Sequence, residues 1–120
     1  MPPAVQSPAP PAVVIDGIFR ALADPTRRDV VERLTAKQAS MSELAAPYRM
    51  ALPSFLEHMK VLEGCGLVRS RKVGRVRTYQ LETAQLKLAE DWLGRQRTLW
   101  EQRLDRLDSY LLSMKEETPE

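Results

Sequence analysis

The hydrophobic positions recur first at helical spacing. Ile15, Ile18, Phe19 and Leu22 fall on one helical face. Asp24-Pro25 interrupts the pattern: Asp24 suits a cap for the next helix and Pro25 its first turn. Val30, Val31 and Leu34 supply that helix's apolar stripe, and the polar run from Thr35 to Ser40 reads as a connection. Ser42 and Glu43 are expected to start a short helix through Leu44, Ala45 and Ala46. Pro47 cannot sit deep inside a helix, so residues 47–51 read as a turn. Pro53 opens a further helix that is expected to bury Leu52, Phe55, Met59 and Leu62 and to end at Gly64 and Gly66.

The period then changes. Leu67 to Lys72 and Val76 to Leu81 have β character, with a tight turn at Val73-Gly74-Arg75 between them. From Thr83 to Lys115 the pattern predicts one long helix, weakened at Gly94. On it Leu93, Arg97, Trp100, Leu104, Leu107, Leu111 and Met114 alternate spacings of four and three, a heptad seam with one polar member. The expected order is helix, helix, short helix, turn, helix, hairpin, long helix. That is a mainly α chain with a small β-hairpin (α+β): a winged helix-turn-helix with a long C-terminal dimerisation helix. Residues 1–12 carry Pro2, Pro3, Pro8, Pro10 and Pro11 and read as a disordered or polyproline-like arm. The folded domain is expected over 13–115, with a frayed acidic tail over 116–120.

Length and composition narrow the class. A chain of 120 residues is one domain's worth, and 43% apolar with 28% charged residues is an ordinary globular mix. One cysteine, Cys65, precludes an internal disulfide framework. The best candidate for a membrane or signal segment, Val13-Val14-Ile15, is three residues long, so a cytoplasmic protein with no membrane partner is expected.

The formal net charge of +2 names no partner, but its distribution does. Arg69, Arg71, Lys72, Arg75 and Arg77 lie within nine residues with no acid among them. A cationic hairpin matches a phosphate backbone, and an arginine at its tip suits a minor groove. The second helix of a helix-turn-helix enters the major groove. On residues 52–63 the face opposite the core presents Ser54, Glu57 and Lys60, with His58 at its margin. Serine can serve either base of a pair, and glutamate can accept from cytosine N4. These nine residues are the candidate DNA contacts. Ile15, Phe19, Leu93, Trp100, Leu104, Leu107 and Leu111 are the candidate dimer interface.

Three segments carry a family resemblance: FRALADPTRRDVVERL (19–34), MSELAAPYRMALPSFLEHMKVLEGCGLV (41–68) and RKVGRVRTYQL (71–81). Together they resemble the first helices, helix-turn-helix and wing of the ArsR/SmtB group of winged-helix repressors, over residues 16–112. The resemblance implies a homodimer, a palindromic double-stranded operator and repression by blocking polymerase at a promoter. It also leaves room for an unidentified small-molecule inducer. The metal-sensing branches of that group use closely spaced cysteines in the helix at 42–48, where this chain has Glu43-Leu44-Ala45-Ala46, or histidines on the last helix, where it has none. One histidine and one cysteine cannot form an ordinary nitrogen/sulfur metal site, so neither metal nor cofactor is expected. Leu56 stands where many relatives carry a small polar residue. It suits either a thymine methyl or packing against the neighbouring helix.

Other residues have two readings. His58 is either a DNA contact or a half-buried helix residue. Cys65 is either a redox switch, which needs a stabilised thiolate, or an inert thiol. Trp92 and Trp100 either line a ligand pocket or form a dimer core. Catalysis has little support, because the only histidine lies on the candidate recognition helix and no glycine-rich phosphate loop occurs. RNA binding is disfavoured by a wing with one aromatic, Tyr79. The alternative kept open is a protein–protein interaction module that uses the winged-helix scaffold without DNA.

Overall fold

A computed structural model describes residues 11–117. The element order is α1 (Pro11–Leu22), α2 (Pro25–Ala36), β1 (Ala39–Ser40), α3 (Met41–Ala45), α4 (Leu52–Gly64), β2 (Val68–Val73), β3 (Val76–Leu81) and α5 (Thr83–Glu117). The expected N-terminal arm lies outside the described residues except for Pro11 and Ala12, which open α1. Proline is compatible with the first turn of a helix, where its missing N–H has no partner to lose. At the other end, α5 runs to Glu117.

Caps define α2 to α4. The Asp24 carboxylate accepts from the Arg27 amide at 3.1 Å, and Pro25 follows in the first turn. Ser40, not Ser42, caps α3: its hydroxyl accepts from the Glu43 amide at 3.2 Å, and the Glu43 carboxylate accepts from the Ser40 amide at 3.1 Å. This reciprocal box satisfies two orphan donors in a helix of five residues. The Glu43 carboxyl is held below its usual range, first by the Ser40 amide. At the end of α4 the Leu67 amide donates to the Leu62 carbonyl (3.0 Å) and the Gly66 amide to that of Glu63 (3.1 Å). This is a Schellman closure, with Gly66 at φ +81°. It turns the chain directly into β2.

Three arginines of α2 hold neighbouring helix ends. Arg27 Nε donates to the Ala21 carbonyl (2.8 Å) and Nη2 to that of Arg20 (3.1 Å), while Arg28 Nη1 donates to that of Leu22 (2.8 Å). Arg33 reaches the carbonyls of Leu44 and Glu43, each at 2.8 Å. Unpaired C-terminal carbonyls thereby gain charged donors.

The sheet has three strands in the order β1-β3-β2, all antiparallel. The hairpin was legible in the sequence, but β1 was not: Ala39 pairs with Tyr79 and Ser40 with Thr78 inside the stretch read as a connection. The tip is a two-residue turn, because Val73 pairs with Val76, and Gly74 takes φ +62°.

The core gathers Ile18, Val30, Leu34, Leu44, Phe55, Met59, Leu62, Leu67, Val68 and Tyr79. Leu52 is not part of it. At 54% exposure it stands in solvent at the first position of α4.

The chain divides into two compact units between Ala89 and Glu90. The second contains the remainder of α5, where Leu93, Leu99, Trp100, Leu104, Leu107, Tyr110, Leu111, Leu112 and Met114 are exposed. No helix among the described residues is long and apolar enough to cross a membrane.

Candidate nucleic-acid interface

The α3–turn–α4 pair is fixed from below by α2. Tyr48, in the turn, stacks on Phe55 of α4 with centroids 5.4 Å apart and planes 25° apart. The Arg33 guanidinium lies 5.8 Å from the Tyr48 ring centre, and the Tyr48 hydroxyl donates to Asp29. Burial first, then the Asp29 hydrogen bond, raise the Tyr48 phenol above its ordinary value. One face of α4 buries Phe55, Met59 and Leu62, so Ser54, Glu57 and Lys60 are left in solvent. Glu57 and Lys60 pair with each other at 3.3 Å on that open surface, where such a pair stabilises little and is easily exchanged for another partner.

Register sorts the wing. Directly opposed residues of an antiparallel pair share a face, so Val68/Leu81, Ser70/Tyr79 and Lys72/Arg77 lie on one side. Arg69/Gln80, Arg71/Thr78 and Val73/Val76 lie on the other. Val68 and Tyr79 are buried, which identifies the first as the core side. Lys72 and Arg77 therefore extend the core side beyond the core. With Arg75 from the tip, and Ser42 and Leu56 from the helix pair, they line a hollow of about 400 Å³. Leu56, half-buried, contributes to the wall of this hollow. Arg77 is braced within the wing: its Nη1 donates to the Ser70 hydroxyl at 2.8 Å, which donates to the Glu63 carboxylate of α4 at 2.6 Å.

Arg69 and Arg71 point to the outer side of the sheet, and Arg69 pairs with Glu82 at 3.1 Å. The cationic cluster is thus two groups, one facing the helix pair and one facing away from it.

His58 belongs to neither group. Arg27 Nη1 donates to its Nδ1 at 3.1 Å, and the Asp24 carboxylate lies 3.7 Å from the same nitrogen. With 22% of its side chain exposed, the ring is packed toward the start of α2 and away from the open face of α4. Its half-buried reading describes this placement. Burial pushes the Asp24 carboxyl upward, but the Arg27 and Thr26 amides together with the Arg27 guanidinium outweigh it and hold it below its ordinary value.

Two positions escaped the sequence reading. Ser42, read as part of a helix start, is exposed beside the hollow, and Arg49 is exposed in the turn between α3 and α4. A single cation in a short turn has no periodicity to mark it. Cys65 is half-buried, its thiol donating to the Leu62 carbonyl at 3.4 Å. Among the described residues no group of three or more histidine, cysteine or acidic side chains is placed to hold a metal ion.

A helix-turn-helix domain family model matches residues 22–71. Over 67 residues the chain is 42% identical to the HTH-type transcriptional regulator Rv2034 of Mycobacterium tuberculosis, an alignment that covers 56% of this chain and 63% of that protein. It is 24% identical over 79 residues to the transcriptional repressor SdpR of Bacillus subtilis, covering 66% of this chain and 88% of the repressor. The crystal structure of the ArsR family transcriptional regulator RHA00566 superposes with a TM-score of 0.72 at 49% identity, covering 80% of this chain and 95% of that one.

Proposed function

This chain belongs to the ArsR/SmtB family of winged helix-turn-helix DNA-binding transcriptional regulators, and from that premise we propose that it represses transcription in the cytoplasm as a homodimer on a two-fold symmetric operator, without catalytic activity. The observation that carries this reading is the hollow in which Ser42 and Leu56 of the helix pair meet Lys72, Arg75 and Arg77 of the wing, on a helix α4 whose Ser54, Glu57 and Lys60 are open to solvent. A helix in the major groove reads base edges, while flanking cations neutralise phosphates and set register. Arg69 and Arg71, on the outer side of the sheet, contribute long-range attraction more than close contact.

The homodimer reading is supported by the apolar seam of α5, where Leu93, Trp100, Leu104, Leu107 and Leu111 are each at least 43% exposed. Ile15 and Phe19 of α1, both half-buried, are the proposed contribution of the first helix. An apolar stripe of that length is costly to leave in water.

Selection of binding sequences from a random duplex pool tests the proposal. The expected result is an inverted repeat with half-sites about one helical turn apart, or a multiple of it. Failure of any sequence to enrich over the starting pool overturns it in favour of a protein-interaction role.

A further inference from the structure

We propose that Arg27 and His58 are positioning residues that set the recognition helix α4 against the domain. His58 is held as a neutral imidazole with its proton on Nε2, and operator binding weakens when the ring takes up a second proton. This rests on the DNA-binding reading above.

The ring's protonation state follows from its partner. An arginine guanidinium has donors only and does not lose its proton in proteins. A hydrogen bond of 3.1 Å from Arg27 Nη1 to His58 Nδ1 therefore requires an unprotonated Nδ1. The remaining proton of the neutral ring must then sit on Nε2. Arg27 is not free to turn away, since its Nε and Nη2 are committed to the Ala21 and Arg20 carbonyls at the end of α1. One guanidinium thus ties the end of α1, the first turn of α2 and the middle of α4 together.

Protonation of Nδ1 sets a donor against a donor and a cation against a cation. The acceptor within reach is Asp24, whose carboxylate is 3.7 Å from Nδ1 and already accepts from the Arg27 amide. Exchanging Arg27 for Asp24 requires the ring to turn toward the α2 cap and to give up the guanidinium that also holds the end of α1. Among the described residues, the charged groups in contact with the ring are these two from α2. On α4 itself Glu57 and Lys60 pair with each other, and from β2 Arg69 is engaged by Glu82. From α1 the contact is through carbonyls by way of Arg27. Protonation of the ring is thus the chemical event that breaks this link.

Two measurements decide. The chain has one histidine, so long-range proton–nitrogen correlation on the untagged protein reads this ring without assignment. At neutral pH the expected pattern is an unprotonated Nδ1 and a protonated Nε2. A proton on Nδ1, or a rapidly averaged mixture, overturns the proposal, and no variant has to fold for that test. The second measurement is operator affinity at fixed ionic strength for wild type and His58→Asn, which keeps an acceptor near the Nδ1 position but cannot titrate. Wild type is expected to lose about tenfold between roughly pH 8 and 5.5, while His58→Asn changes by less than about threefold. Superimposable profiles overturn the proposal. Should neither protein prefer operator to random duplex at any pH, it is the DNA-binding reading that has failed, and the ring nitrogens still report on the link.

Discussion

At the scale of single residues, conformation and capping chemistry make the strongest demands. Asp24 both caps α2 and carries a carboxyl held below its ordinary value. Asp24→Ala should therefore cost about 1 kcal/mol at neutral pH. The sign with pH follows from linkage. A carboxyl lower in the fold than in the unfolded chain stabilises above its unfolded value of 3.8, and that contribution fades as pH falls through the folded value. Urea unfolding should show wild type and variant converging as pH falls below 3.8. Gly66 is constrained differently: it sits at φ +81°, and an added Cβ would lie 2.5 Å from Gln85 Nε2. Gly66→Ala should destabilise by roughly 1–3 kcal/mol, read as a lowered urea midpoint with an unchanged slope. The Asp24 cap was legible from its place before Pro25. Leu52 was misplaced because helical spacing gives the face of a residue but not where along the helix the core ends, and spacing alone could not choose between the two readings of His58. His58 is turned by Arg27, 31 positions away in sequence, and no local pattern records that pairing.

At the scale of elements, alternation in the wing was legible and its consequence was not. Successive strand residues point to opposite faces, and the register sorts odd and even positions accordingly. What needed the fold was which face meets the helix pair, because that is decided by the packing of Val68 and Tyr79. The short strand β1 escaped notice because two residues have no period. The division of charge yields a test. Lys72→Ala and Arg75→Ala, on the helix-pair side and the tip, should each weaken binding to all duplexes and lower the salt slope by about one. Arg71→Ala, on the outer face, should change affinity while moving the slope by well under about one. Ser54→Ala should instead change preference among operators, by roughly 1–3 kcal/mol at the base it reads. Affinities of the four variants for several operators at two or more salt concentrations distinguish these outcomes. An Arg75→Ala variant with wild-type affinity and slope removes the wing from the DNA interface.

At the scale of the whole molecule, the heptad seam was readable because it is periodic over a long stretch, and the helix-turn-helix because Pro47 and Pro53 punctuate its two helices. In the second unit, exposed Leu99, Tyr110 and Leu112 add apolar surface beyond the seam itself. Trp100→Glu places a charge in that seam and should move sedimentation at micromolar protein toward the monomer, with a parallel loss of operator affinity. A wild-type protein that sediments as a monomer at that concentration contradicts the dimer. With one cysteine and one histidine in the chain, the operator complex should survive a chelator. It should also survive stoichiometric zinc, cadmium or arsenite, as followed by gel shift. Release by any of them contradicts metal-independent binding.

The arginines of α2 imply an uneven tolerance to mutation. Arg27, Arg28 and Arg33 donate to main-chain carbonyls of Arg20, Ala21, Leu22, Glu43 and Leu44. Every amino acid supplies a carbonyl, so these bonds place no demand on the identity of the accepting residue. They place a strict one on the donor, because lysine offers a single charged point where Arg33 spans two oxygens. In a saturation library scored for folded protein, a solvent-facing acceptor such as Arg20 should accept many replacements, whereas position 33 should reject even lysine. Sequence drift in this domain is thereby channelled toward the helix ends and away from the one helix that holds them.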